Sequence, residues 1–267
     1  YVDGNPTSGI INDPTTYPVI NAATIEGLNE ADGDENIATG YHAIEFLLWG
    51  QDSNAAGPGN RPFTDFVTDG NGTMANQDRR ALYLTTASEL LITHLQGLVN
   101  AWAPNVAGNY RATFEALPTE TAIANIMTGM LILTGFETGG ERVQAALTSG
   151  DQEDEHSCFS DNTHRDMIQD VQGIINVYQG TWNNWTGVGV REVVAASDAN
   201  LAAAIDAKLN ESINAARGMP VPFDQAIAQG NTQGRTAVEL LVTKLLEAED
   251  ELERAFIQFG LDIPVAE

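Results

Sequence analysis

The sequence predicts an all-α protein made of two packed helical-bundle halves. Apolar residues recur at intervals of three and four along most of its 267 residues, and no long alternating run rich in Val, Ile and Thr interrupts them. Gly, Pro and Asn gather between the periodic stretches. Pro118, followed by Thr119 and Glu120, is a helix start that pushes Leu117 out of helical geometry, so the halves are read as 1–117 and 118–267.

In chain order, YVDGNPTSGIINDPTTYP (1–18) is turn-rich and reads like the middle of a fold, which leads us to expect a leader and further helices upstream of Tyr1. Helices follow near 22–30, 36–49, 76–102, 108–116, 119–147, 161–180, 197–217 and 232–259, with a short piece near 188–196. Between the second and third, SNAAGPGNRPFTDFVTDGNGT (53–73) holds more Gly, Pro and Asn than a helix tolerates, and its length is that of a functional loop. The most apolar run, IANIMTGMLILTGF (123–136), is too short to span a bilayer and reads as a central buried helix. TASELLITHL (86–95) resembles TAVELLVTKL (236–245), which fits either a duplicated bundle or the shared composition of core helices. Trp182 and Trp185 in YQGTWNNWTG are aromatic anchors at a helix end or, on a sharper reading, a sugar-stacking platform.

With 37 acidic against 12 basic side chains the formal charge is −25. Nucleic acids and anionic lipids are polyanions and make poor partners for such a chain, whereas a cation is its natural counterpart. Cys158 is the sole cysteine, so neither an internal disulfide nor a thiolate-rich zinc site can form.

His42 and Glu45, in GYHAIEFLLWGQD (40–52), lie three residues apart and therefore on one helix face, where they can converge on one cation. The flanking Ala43, Ile44, Phe46, Leu47 and Leu48 suggest a helix buried nearly all round, in which Glu45 needs a partner. That partner is a metal, His42 itself, or a nearby Tyr or Arg of the core. The stretch lacks the second histidine of a zincin helix, and it does not supply the paired Glu-x-x-His motifs of a di-iron bundle. Further ligands must come from elsewhere, and DQEDEHSCFSDNTHRD (151–166) is the other polar concentration. Ser160 or Asp161 suits the N-cap of the following helix. Ser157, Cys158 and Phe159 suggest a segment that turns inward, and a continuous helix would put His156 and His164 on one face. We expect His42 and Glu45 to be largely buried and on the order of 10 Å from at least one of Glu155, His156 or Asp161. His94 reads as a satisfied histidine, and Arg79 or Arg80, at a helix start, calls for an anionic partner such as Glu45.

GYHAIEFLLWGQD, followed by GPGNRPFTDF and RRALYL, resembles the imelysin family, whose hallmark Gly-x-His-x-x-Glu is met by Gly40, His42 and Glu45. QEDEHSCFSDNTHRDM is similar to the second signature of the family's insulin-cleaving and iron-regulated branch. The resemblance implies an all-helical protein exported to the bacterial periplasm or outer membrane, with a site at the interface of its two halves. It implies either cation binding linked to iron uptake and its envelope components, or zinc-dependent peptidase activity. The site expected is His42, Glu45, Glu155, His156 and Asp161 around iron or zinc, with Glu45 as the catalytic base in the peptidase case. A structural module in which the pair only holds the bundle together is the third reading.

Overall fold

The computed structural model describes residues 9–31, 33, 36–54 and 57–264, and the chain divides into two compact units, Tyr1–Thr113 and Phe114–Glu267. The division falls a few residues before Pro118, which starts a helix as its ring predicts. Helix predominates throughout, as the periodicity requires.

In the first unit, α1 (Ala22–Leu28) is capped by the Asn21 side chain, which accepts a hydrogen bond from Thr24 N at 3.0 Å. α2 (Gly40–Trp49) starts later than the predicted 36–49. The Asn29 side-chain oxygen accepts the Ala38 and Thr39 amides, both at 3.0 Å, holding that stretch extended. Gly40 then turns with φ +80°, a left-handed conformation that a side chain resists. α3 (Gln77–Ala101) buries Arg80, Tyr83, Ala87 and Leu90 on one face, and the Tyr83 hydroxyl donates to Ala38 O at 2.7 Å. Arg79 donates to the carbonyls of Ile10, Ile11 and Tyr17, so its charge ties down the opening segment through main-chain oxygens. α4 (Tyr110–Glu115) straddles the division.

The expected loop 53–73 contains a 3₁₀ turn, Phe63–Phe66, and closes back on both neighbouring helices. Arg61 N donates to Trp49 O at 2.8 Å, the Thr73 hydroxyl donates to the buried Asp65 at 2.7 Å, and Arg80 donates to Asp65 O at 2.8 Å.

In the second unit, the predicted helix 119–147 divides into α5 (Thr119–Ile132), a π-helical stretch (Leu133–Gln144) and α6 (Ala145–Ser149). Gly135 lies in the widened stretch and seats the Glu249 carboxyl, whose atoms are 2.0–2.2 Å from where a Cβ would stand. Such widening is a tertiary accommodation that periodicity cannot register. α7 (Thr163–Gln179) leads into a hairpin, β1 (Thr181–Trp182) and β2 (Trp185–Thr186), that pairs Trp182 with Trp185. α8 (Val190–Ser197), α9 (Ala199–Gly218), α10 (Phe223–Ile227) and α11 (Thr232–Gln258) complete the unit. Met127, Val171, Ile205, Leu209, Phe223, Leu241, Leu245 and Phe256 are among the core residues that join these helices. Lys208 and Lys244 of α9 and α11 alternate with Glu211 and Glu247 at 2.7–3.2 Å, outside that core.

The similar decapeptides lie in α3 and α11, but aligned residues face different ways: Leu90 is buried and its counterpart Leu240 exposed. The likeness therefore does not extend to which helix face is buried. No helix among the described residues is long and apolar enough to cross a membrane.

Candidate functional site

Gly40 sets the direction from which α2 leaves Thr39, and so positions His42 two residues on. No heavy atom lies within 4 Å of a Cβ built at Gly40, so the hallmark glycine is required by backbone conformation rather than by space. His42 Nδ1 lies 2.8 Å from Glu45 Oε2, with the His42 side chain 37% exposed and the Glu45 side chain 10%. The helix is not buried all round, because Tyr41, Leu48 and Trp49 are exposed. Glu45 is buried as expected, whereas His42 is only half-buried: it stands at the edge of the face that α2 turns inward.

This geometry assigns distinct roles to the two side chains. A carboxylate on Nδ1 fixes the imidazole orientation and tautomer, and the ring atom suited to a cation is then Nε2. Were a cation bound at Nε2, Glu45 would orient the ring rather than act as an equal ligand.

At the other end of α2, the Arg61 guanidinium stacks 5.5 Å from the Phe46 ring and donates to Phe46 O at 3.4 Å. Its positive charge there complements the helix C-terminus. Arg61, Phe46, Trp49, Asn54, Asp65 and Met74 are among the residues around a cavity of about 320 Å³.

The second polar segment lies in the other unit. Glu155, Ser157, Cys158 and Asp161 are buried, so this stretch does turn inward. It is not a continuous helix. A short 3₁₀ turn, Gln152–Asp154, is followed by turns, and Asp161 adopts φ +53° before α7 begins at Thr163. Asp161 is thus no N-cap, and the single face expected for His156 and His164 does not form. His164 Nδ1 instead donates to Asp161 O at 3.2 Å.

His156 Nδ1 lies 3.0 Å from Asp166 Oδ2. The same carboxylate accepts from the Ser157 hydroxyl and, at 2.9 Å, from Asn162 Nδ2. Burial pushes the Asp166 carboxyl up, but hydrogen bonds from His156 and Ser157 together with the His156 charge prevail and hold it below its ordinary value. One turn on, burial raises the Asp170 carboxyl, with Asp166 adding to the rise and His156, Arg142 and the Thr138 hydroxyl opposing it. Asp166 is the principal partner that sequence reasoning missed. Its i,i+4 relation to Asp170 was visible, but its meeting with His156 depends on the irregular backbone between them.

His42 and His156 are therefore each held through Nδ1 by a carboxylate in their own units. His94 pairs with Glu26 at 3.1 Å, both half-exposed, which fits a satisfied surface histidine. Among the described residues, no three His, Cys, Asp or Glu side chains form a group able to hold a metal ion. Each unit by itself supplies an oriented imidazole, not a complete coordination shell.

Comparison with known proteins matches residues 7–252 to the family described as Imelysin, a peptidase family by designation. No curated protein matches the chain. The match spans most of the chain and includes Gly40, His42, Glu45 and the 151–166 segment, and on it the chain belongs to the imelysin family.

Proposed function

We propose that this chain is an exported cell-envelope protein that binds a cation, iron first, through His42 Nε2, and that it works with iron-uptake components of the envelope. The observation that carries the reading is the 2.8 Å contact between His42 Nδ1 and the buried Glu45 carboxylate, which presents a fixed imidazole on a half-exposed side chain. Imidazole and carboxylate donors suit iron, manganese or zinc. In the second unit Asp166 orients His156 as Glu45 orients His42 in the first.

Equilibrium dialysis with ferrous ion under anaerobic conditions, and with ferric and zinc ions, tests it. His42→Ala abolishes binding, while Glu45→Gln weakens it about 10–100-fold, as loss of an orienting partner does. Binding unchanged in both variants removes this site.

A zinc peptidase is the second reading, favoured by the family designation and by the carboxylate beside the imidazole. Zinc would supply an activated water, with Glu45 as the base once released from His42 Nδ1. Cleavage of an unfolded polypeptide that stops with chelator and disappears in Glu45→Ala supports it. With neither cleavage nor metal uptake, the pair is a structural contact.

A further inference from the structure

The loop 53–73 ends in a chemically reactive step. Asn71–Gly72 is the one Asn-Gly pair in the sequence, and it lies in irregular backbone with Asn71 exposed. Asn71 folds back on Asp69, whose Oδ1 accepts the Asn71 backbone N–H at 3.1 Å and its side-chain Nδ2 at 3.0 Å. Among the described residues no acceptor takes the Gly72 N–H. The glycine is required where it stands, because a Cβ there would lie 2.4 Å from Val67 O, which is fixed main chain, and 2.3 Å from Gln77 Nε2. Close approach therefore keeps an unhindered backbone amide beside an exposed asparagine side chain.

The backbone just beyond this step holds the loop closed. Thr73 N donates to Thr64 O at 3.2 Å, and the Thr73 hydroxyl donates to Asp65 Oδ1 at 2.7 Å and lies 2.7 Å from Thr64 Oγ1. Asp65 is buried, and its carbonyl accepts from Arg80 of α3 at 2.8 Å. Thr73 thus clasps the 3₁₀ turn, and through Asp65 the turn is tied to α3.

We propose that Asn71 is a site of spontaneous deamidation and that its conversion loosens this clasp. The Gly72 N–H gives its proton to hydroxide and the nitrogen attacks Asn71 Cγ. The N–Cγ bond forms, the Cγ–Nδ2 bond breaks, and the amide nitrogen leaves as ammonia after taking a proton from water. Water then opens the resulting succinimide at one or other carbonyl, giving aspartate or isoaspartate at 71. The aspartate product loses the Nδ2 donor and sets a carboxylate against Asp69, where like charges repel. The isoaspartate product adds a carbon to the main chain immediately before Gly72, which already lies close against Val67 O. Either product displaces Thr73 from Thr64 and Asp65.

Incubation of the folded full chain in mildly alkaline and mildly acidic buffer, followed by peptide mapping with mass spectrometry, reads the reaction directly, and enzymatic methylation of isoaspartate counts that product. The expected result is that the peptide spanning Asn71 gains the mass of an amide-to-acid conversion before any other asparagine reacts, and faster in the alkaline buffer. Asn71→Gln, whose side chain would have to close a larger ring, slows the appearance of the acidic form at least tenfold. Asn71→Asp stands in for one product and should speed amide hydrogen exchange at Thr73 while circular dichroism matches the parent. Conversion at Asn71 only after unfolding in urea, or only after other asparagines, overturns the site. Exchange at Thr73 unchanged in both Asn71→Asp and the aged protein overturns the effect on the clasp.

Discussion

Replacing Gly40 by Ala separates two reasons for a glycine in the family hallmark. Its φ is +80°, while a Cβ there would meet no heavy atom within 4 Å. The cost therefore comes from the backbone alone, about 1–2 kcal/mol for an L-residue held in the left-handed region. For a unit of this size, that corresponds to a melting-point decrease of roughly 4–8 °C per kcal/mol. Asn tolerates the left-handed region better than Ala, so Gly40→Asn should lose less, despite its larger side chain. Thermal and denaturant unfolding of the parent and both variants provide the comparison. An Ala variant as stable as the parent, or an Asn variant worse than Ala, would refute the backbone explanation.

Tyr83→Phe removes the buried donor to Ala38 O and should cost about 1–2 kcal/mol in denaturant titrations. Asp166→Asn should destabilise at pH 7: the lowered native pKa contributes stability present above the ordinary carboxylate pKa and lost as pH falls through the native one, so parent and variant converge in acid. Asp170→Asn should act oppositely, since the raised native pKa means that stability present in acid is lost as pH rises through it. Its gain at pH 7 should shrink on acidification, and unfolding curves at pH 7, 5 and 3 check both signs; each effect should be at most about 1 kcal/mol because both sites are partly exposed. Gly189→Ala should cost about 1–3 kcal/mol, because its Cβ would meet the fixed Tyr178 O and Gly180 N at 2.3 and 2.4 Å. Gly135→Ala should cost less, since the Glu249 carboxyl can swing away; equal melting points for the two would contradict this distinction.

The sequence by itself determined the helical class, most helices and the family, because each rests on neighbours three or four residues apart or on a contiguous motif. Thus α3, α9 and α11 occur within a few residues of their predicted limits, and the His42–Glu45 contact follows from one turn of helix. The sequence could not reveal which apolar residues would find partners: Leu90 is covered, Leu98 is exposed in the same helix, and both are leucines in a periodic pattern. Nor could it reveal the His156–Asp166 contact, which spans ten residues of backbone that includes the left-handed Asp161. The widening of the helix at Leu133–Gln144 likewise arose where Gly135 accommodates Glu249 from α11. Periodicity records local spacing, whereas burial, irregular-loop contacts and helix widening depend on residues distant in sequence, and those were decided only by the tertiary structure.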